Sequence, residues 1–323
     1  MKLAKAYGYL KKDLEQIEQT INKVIQAKHP VLRQASTELL QAGGKRIRPV
    51  FVLLSGQMGA YNLEKLKLVA VSLELIHTAT LVHDDVIDDA EIRRGMPTVR
   101  QIYGNRVAMY TGDYILARAL EEITLLRDPK IHRLLSQTIV EVCKGEIEQI
   151  KDKFDWNQSL RNYLRRIKRK TALLIATSCK LGAIASGVND RDAQRLYRYG
   201  YNIGMSYQII DDILDFIGSE KELGKPAGND LLQGNLTLPV FMAMKDSSLR
   251  ENIKNSLQAD YSIREARIKN VVEAIKQTNA IEASYDLSNR YLAKALQQLD
   301  GLPDSRPKRT LIQIGKYIGK RRT

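Results

Sequence analysis

Twice in this chain an apolar helical stretch runs into a cluster of aspartates, and few folds can house that arrangement twice. The first copy lies between Ser72 and Arg94, SLELIHTATLVHDDVIDDAEIRR, where Leu73, Ile76, Thr80 and Leu81 recur at roughly helical spacing and predict a buried helix. At about 3.6 residues per turn, His77, Leu81, Asp84 and Asp88 share one stripe, with Asp85 and Asp89 beside it. Carboxylates this close raise one another's pKa unless a cation stands among them. A lone DDxxD also fits a solvated acidic helix end, and a chain of this length shows one by chance roughly once in fifteen. The second copy, Asp211, Asp212 and Asp215 in SYQIIDDILDF, again sits on an apolar helix, and two chance copies fall to roughly a few chains per thousand.

At 323 residues the chain can bury a large core, as one big domain or two ordinary ones. No uninterrupted apolar run approaches the ~20 residues that span a bilayer; the nearest candidate, Thr171 to Gly187, is broken by Lys180 and reads as an interior helix. The N-terminus carries acidic residues and lacks a signal-peptide core, and two cysteines, Cys143 and Cys179, give neither a disulfide framework nor zinc spacing. The expectation is a soluble protein of a reducing cytoplasm. Net charge is +14, yet aromatic residues are only 6% and no nucleic-acid motif is present. The bases instead fall near the acidic pairs: Lys45, Arg46 and Arg48; Arg93 and Arg94; Arg161 to Lys170; and Lys316 to Arg322. Small polyanions, an anionic membrane surface or an acidic partner account for them better than nucleic acid.

Taken in order, residues 1–28 read as a peripheral amphipathic helix broken at His29-Pro30, followed by a helix from Val31 to Gln41. Gly43-Gly44-Lys45-Arg46-Ile47-Arg48-Pro49 then opens an apolar segment, where two glycines let backbone amides approach a ligand and Lys45 and Arg48 converge on one anion, or else form a solvated basic entry. After the first acidic helix come a loop at Gly95-Met96-Pro97, a turn at Tyr103-Gly104-Asn105, and a helix from Met109 to Leu125 closely packed through Gly112 and Asp113. A long helix, Ile131 to Trp156, carries Glu141, Glu146 and Glu148 as surface or interhelical pairs. Leu160 to Lys180 turns from very basic to very apolar at Lys170-Thr171. The next helix, Arg191 to Phe216, aligns Gly200, Gly204, Gln208, Asp211 and Asp215. Residues 218–235 form the longest predicted structureless segment, placed as a lid, and helices follow to the end. With no β-alternation of useful length, the fold class is all-α, and the expectation is one bundle, a single domain over residues 1–323.

Paired carboxylates without a His or Cys set suit Mg²⁺, which takes one or two carboxylates plus phosphate oxygens and keeps waters. His77 and His83 are too few for a transition-metal site, and His83 reads as a satisfied neutral histidine. A helical bundle so equipped would hold a magnesium-bound diphosphate above an apolar interior, with the Lys45 cluster as a second anion site.

The motifs GGKRIRP, LVHDDVIDDAEIRRG, Lys170-Thr171, YQIIDDILD and GKPAGND, in that order, resemble those of the trans-isoprenyl diphosphate synthases along most of the chain. The resemblance implies an isoprenoid-synthase bundle of about ten or more helices around a central apolar cavity. It implies condensation of an allylic diphosphate, such as farnesyl diphosphate, with isopentenyl diphosphate. Asp84, Asp88 and Asp211 would bind two or three Mg²⁺ ions, supported by Asp85, Asp212 and Asp215. Arg93, Lys170 and Lys225 would hold the allylic diphosphate; Lys45, Arg48, His77 and Arg94 would hold isopentenyl diphosphate; Thr171 and Gln208 would lie near the reacting carbons. Within the family the chain is similar to two-component bacterial enzymes, whose catalytic chain pairs with a small non-catalytic subunit (component I) as a heterodimer. That branch implies a product of heptaprenyl length; the alternatives are a homodimer, another product length, a class I terpene cyclase, an HD-type phosphohydrolase or a non-catalytic relative. Small residues at Ala79 and Thr80, with Ile76 a turn earlier, leave room for a growing tail and predict a medium or long product, whose release would involve peripheral membrane contact.

Overall fold

The computed structural model describes residues 3–41, 44, 46–218 and 227–321. Those residues are helical almost throughout, and their only strands are the two-residue pair Ile92–Arg93 (β1) and Met96–Pro97 (β2). The all-α expectation holds. The chain divides into two compact units, one of Met1–Ser136, Thr177–Tyr197 and Pro303–Leu311, the other of Gln137–Ala176, Arg198–Leu302 and Ile312–Thr323.

The first unit is built on one helix. In order come α1 (Leu3–Ala6), a 3₁₀ turn at Gly8–Leu10, α2 (Lys11–Val24), α3 (Pro30–Gln41), α4 (Ile47–Gly56), α5 (Leu63–Ile87) and α6 (Val99–Ile123). Asn62 caps α5 by accepting the Lys65 N–H at 3.1 Å. From Leu66 onward α5 is buried on nearly every face, with Val69, Ala70, Val71, Leu73, Leu75 and Ile76 at 2% exposure or less, as befits a helix apolar all round. Each such aliphatic side chain contributes about 1.5–3 kcal/mol relative to exposure. Helices α2, α4 and α6 pack around it. By length and composition α5 is long and apolar enough to cross a bilayer, a better candidate than Thr171–Gly187, but 67% of its most apolar window lies inside the protein. It is a core helix. The N-terminal stretch is broken into α1, the 3₁₀ turn and α2, and α2 buries Ile17, Ile21 and Val24.

Helix α6 begins at Val99, ten residues before the expected start. The predicted turn at Tyr103-Gly104-Asn105 survives as a kink, with Gly104 at φ 80°. The loop at Gly95–Pro97 is part of the β1–β2 hairpin, whose turn residues Arg94 and Gly95 take φ of 54° and 77°, as tight hairpins require.

The second unit's elements include the later part of α7 (Pro129–Asp152), α8 (Leu160–Ile167), a π-helical turn at Lys168–Ala172, the start of α9 (Leu173–Ala185), and most of α10 (Asp190–Ile217). They continue with α11 (Asn229–Leu232), α12 (Leu238–Ala243), α13 (Ser247–Leu257), α14 (Tyr261–Lys276) and α15 (Ala280–Asp300); α16 (Arg306–Gly319) closes the chain. Helix α7 stops four residues short of the expected Trp156, and the π turn interrupts the helix expected from Leu160 to Lys180. One core joins Tyr163, Ile167, Ala172, Met205, Ile209, Ile213, Leu238 and Tyr285. Gly204 permits the closest approach within it: a Cβ there would lie 2.5 Å from the Ala172 Cα. That is the helix contact its glycine stripe predicts. Of the predicted lid 218–235, residues 219–226 lie outside the described residues, and Asn229–Leu232 is helical rather than structureless.

Candidate active site

In the first unit α5 ends inside its own acidic motif. Asp88 leaves helical geometry (φ −93°, ψ 5°) while its N–H still donates to the Asp84 carbonyl at 2.8 Å, and the Ala90 N–H donates to the Asp85 carbonyl at 2.9 Å. Asp84 and Asp85 are buried and Asp88 is exposed. Carboxylates at a helix C-terminus face the negative end of the macrodipole, which costs about 0.3–1 kcal/mol each. The arrangement is therefore unfavourable without a cation.

Arg93 supplies one. From β1 its Nε and Nη2 both lie 2.7 Å from Asp85 Oδ1. Burial pushes the Asp85 pKa up; Arg93 opposes the shift, and Asp84 and Asp88 reinforce it. The hairpin turn next presents Arg94, whose guanidinium lies against Gly44, where a Cβ would stand 2.8 Å from Nη1. A side chain at Gly44 would displace Arg94. His77 is held well below its ordinary pKa by burial and then by Arg48, Arg94, Arg93 and Arg46, so it is neutral at pH 7 within a positive field. The positive charge that bears on this neutral imidazole makes its surroundings favourable to an anion. Lys45 lies outside the described residues. Ile76 and Ala79 are buried one to two turns before Asp84, and Thr80 donates its hydroxyl to the His77 carbonyl at 2.7 Å. His83 sits half-buried with Nε2 3.2 Å from Asp113 Oδ1.

In the second unit the motif lies within α10, which runs on to Ile217, so all three carboxylates project from regular helix. Asp212 is buried and fully engaged: Tyr163 donates its hydroxyl to Oδ2 at 2.6 Å, and Gln208 donates Nε2 to Oδ1 at 2.9 Å. Gln208 in turn accepts the Thr171 hydroxyl at 2.6 Å, which ties the π turn to the acidic helix. Such turns recur at functional sites. Burial, then the negative charge of Asp230, push the Asp212 pKa up to about 7 against the pull of Tyr163 and Gln208. Asp215 accepts the Asp230 N–H at 3.1 Å. Asp211, half-buried, carries Arg321 from the C-terminal tail, Nη1 to Oδ1 2.8 Å, with that guanidinium 5.1 Å from the Tyr207 ring centre.

Lys170 donates to Gln149 Oε1 at 2.9 Å and stands 3.8 Å from Glu146. Arg169 pairs with Glu141 at 2.9 Å and with Glu148. Of the two readings open for the acidic residues of α7, surface or interhelical pairs, these contacts are interhelical. Lys225 lies outside the described residues.

Three participants carry no advance signal as partners. Tyr163 is an aromatic residue in a basic stretch, Arg321 is one of several tail bases, and Arg46 is one of three bases in its motif. Only their contacts single them out. The acidic side chains offer oxygen donors alone. Among the described residues no three His, Cys, Asp or Glu side chains close into a metal cage. An exposed Asp88 beside a buried Asp84, on a helix end that repels negative charge, fits a hard divalent cation completed by substrate oxygens and water.

A model of the polyprenyl synthetase family matches residues 29–275. The chain is 57% identical over 322 residues to the heptaprenyl diphosphate synthase component 2 of Bacillus subtilis (strain 168), covering 100% of this chain and 92% of that one. A heptaprenyl diphosphate synthase structure from Staphylococcus aureus superposes with a TM-score of 0.93 at 43% identity, covering 97% of this chain and 99% of that one. A polyprenyl synthase from Caulobacter crescentus CB15, complexed with calcium and isoprenyl diphosphate, superposes with a TM-score of 0.91 at 29% identity, covering 100% and 98%.

Proposed function

Because the chain belongs to the polyprenyl synthetase family, we propose that it is a trans-prenyltransferase extending an allylic diphosphate with isopentenyl diphosphate to heptaprenyl length. The observation that carries this is full-length identity of 57% to a heptaprenyl diphosphate synthase component 2. The two acidic motifs and a neutral His77 under the influence of several arginines supply the parts the reaction needs.

In this reading Asp84, Asp88 and Asp211 hold Mg²⁺, which when bound offsets the charge that gathers on a departing diphosphate. Asp85 sets Arg93, while Asp212 and Asp215 fix the α10 face. Arg93, Lys170 and Lys225 grip the allylic diphosphate. Lys45, Arg48, His77 and Arg94 grip isopentenyl diphosphate, with neutral His77 as an N–H donor. The allylic C–O bond breaks heterolytically and its electron pair leaves with pyrophosphate. The isopentenyl double bond attacks the cation to form the new C–C bond, and a proton passes from the adjacent carbon to the released pyrophosphate. Thr171 and Gln208, locked together at 2.6 Å, lie near the reacting carbons. Apolar walls exclude water from the cation.

The relative's designation as component 2 supports a second component in the working enzyme, which we take to be a small non-catalytic subunit. The buried packing of α5 supports a soluble chain, which we place in the cytoplasm. The decisive assay incubates the purified chain with farnesyl and isopentenyl diphosphates and Mg²⁺, with and without a candidate small subunit, and sizes the lipid. Heptaprenyl diphosphate is expected; a cyclised hydrocarbon, or no condensation under either condition, would overturn the reading. Ala79→Tyr places an aromatic ring at a position 1% exposed, one turn before Asp84. It is expected to shorten the product, and an unchanged product length would put the pocket floor elsewhere.

A further inference from the structure

The first arginine of the GGKRIRP motif, Arg46, looks like one more phosphate ligand, but its donors are already committed. Arg46 donates Nε to Glu18 Oε2 at 2.7 Å, Nη2 to Glu18 Oε1 at 2.8 Å, and Nη1 to Glu74 Oε1 at 3.1 Å. Its side chain is 15% exposed. Its backbone caps α4 in the left-handed region, at φ 45° and ψ 37°, which an L side chain tolerates only when its surroundings enforce it.

Each partner comes from a different helix. Glu74 is buried at 3% exposure in the middle of apolar α5, one turn before His77 and on the same face. Among the described residues nothing pairs with its second oxygen, so Arg46 is its one compensating cation there. A carboxylate in that position demands a partner held in place. Glu18 lies on α2, well outside every motif, and accepts the guanidinium fork with both oxygens. The backbone on either side of this clamp carries the anion-binding groups. Gly44 lies against the Arg94 guanidinium, and Arg48 stands in the first turn of α4 and bears on His77.

We infer that Arg46 is a positioning residue: clamped by Glu18 of α2 and Glu74 of α5, it sets the strained entry to α4 and thereby the geometry of the isopentenyl diphosphate site. Affinity for that substrate is therefore set partly by an N-terminal helix that touches no substrate. The inference rests on the reading that Arg48 and its neighbours hold isopentenyl diphosphate.

The test compares the full-length chain with Arg46→Gln, Arg46→Lys, Glu18→Gln and the Glu18→Gln/Arg46→Gln double variant. It measures KM for each substrate, kcat, equilibrium binding of isopentenyl diphosphate by calorimetry, and the thermal midpoint. Arg46→Gln should raise the isopentenyl KM and Kd about tenfold and Glu18→Gln several-fold, about the cost of misplacing a positioned group. The allylic KM and kcat should hold. Arg46→Lys should recover part of the loss, and the double variant should be no worse than Arg46→Gln, since both changes break one contact. Equal rises in both KM values, or a lowered midpoint with unchanged isopentenyl binding, would overturn the inference. Arg48→Ala separates the two layers. If it leaves isopentenyl binding intact, the site assignment fails; if it weakens binding while Glu18→Gln does not, only the positioning role fails. Should Arg46→Gln not fold, Glu18→Gln, at a partly exposed helix position, carries the test.

Discussion

The two acidic helix segments share a motif and differ in almost everything around it. In the first, α5 stops within Asp84–Asp88, so the last carboxylate turns outward and the chain doubles back through a hairpin that brings Arg93 onto Asp85. In the second, α10 continues past Asp215, so Asp212 points into a core and is taken up by Tyr163 and Gln208. The same three aspartates in D-D-x-x-D thus produce an exposed carboxylate on one helix and a buried, hydrogen-bonded one on the other. Where the helix ends, and what packs beside it, decides which aspartates stand open to solvent and which are held by their neighbours.

The largest effect should follow from the first helix. Asp84→Ala removes a carboxylate from the segment where the helix end already repels negative charge. Turnover with saturating Mg²⁺ should fall by about 10³-fold, since stabilising the departing diphosphate is worth several kcal/mol and each 1.4 kcal/mol is about tenfold in rate. Asp212→Asn, which keeps the shape and most of the hydrogen bonding, should cost much less. Equal losses would erase the distinction between ion-holding and positioning aspartates.

Much of this contrast was legible before any coordinates, and the illegible part has a physical cause. The two acidic helices and the face that carries Gly204 follow from spacing along one helix, which fixes what shares a face, while the partners of Gly204, Glu141 and Glu148 come from another element. Tyr163 lies 49 positions from Asp212, and Arg321 lies 110 positions from Asp211. No periodicity within a helix encodes partners so distant. The early start of α6 is not legible in the sequence because Gly104 leaves helical φ/ψ without ending the element, and the π turn at Lys168–Ala172 is not because one extra residue in a turn leaves no compositional trace. The strained backbone at Arg46 and Arg94 was hidden for a related reason: residues with positive φ are usually glycine, and here they are arginines fixed by their surroundings.

A pH titration sharpens the comparison next. In the chain without divalent ions, burial raises Asp212 from an ordinary 3.8 to about 7. Below about pH 4 both folded and unfolded forms are protonated there and the group is neutral to stability. Between about pH 4 and 7 the unfolded chain has lost the proton and the folded chain has kept it, so stability falls as pH rises; above about 7 the loss is complete and flat. At about 1.4 kcal/mol per unit the total is on the order of a few kcal/mol. Urea unfolding in chelator should show wild type losing stability over this window relative to Asp212→Asn, in which the slope is absent. Parallel curves would mean that Asp212 is ionised in the folded core across the whole range.

The smallest effect concerns the cations that rest on each motif. Arg93 is paired with the buried Asp85, whereas Arg321 is paired with Asp211, which is a third exposed. A divalent ion reaching Asp211 must share that oxygen set with a guanidinium or displace it. A partly exposed pair is worth only about 0.2–1 kcal/mol, so removing it should matter by about two- to fivefold. Arg321→Gln should tighten binding of Mg²⁺ with inorganic pyrophosphate by that factor, measured by calorimetry, while leaving the unfolding midpoint nearly unchanged. Weaker binding instead would give the tail the opposite role: Arg321 would swing from Asp211 to the diphosphate when the ion arrives, and the second motif, like the first, would carry its own arginine into the reaction.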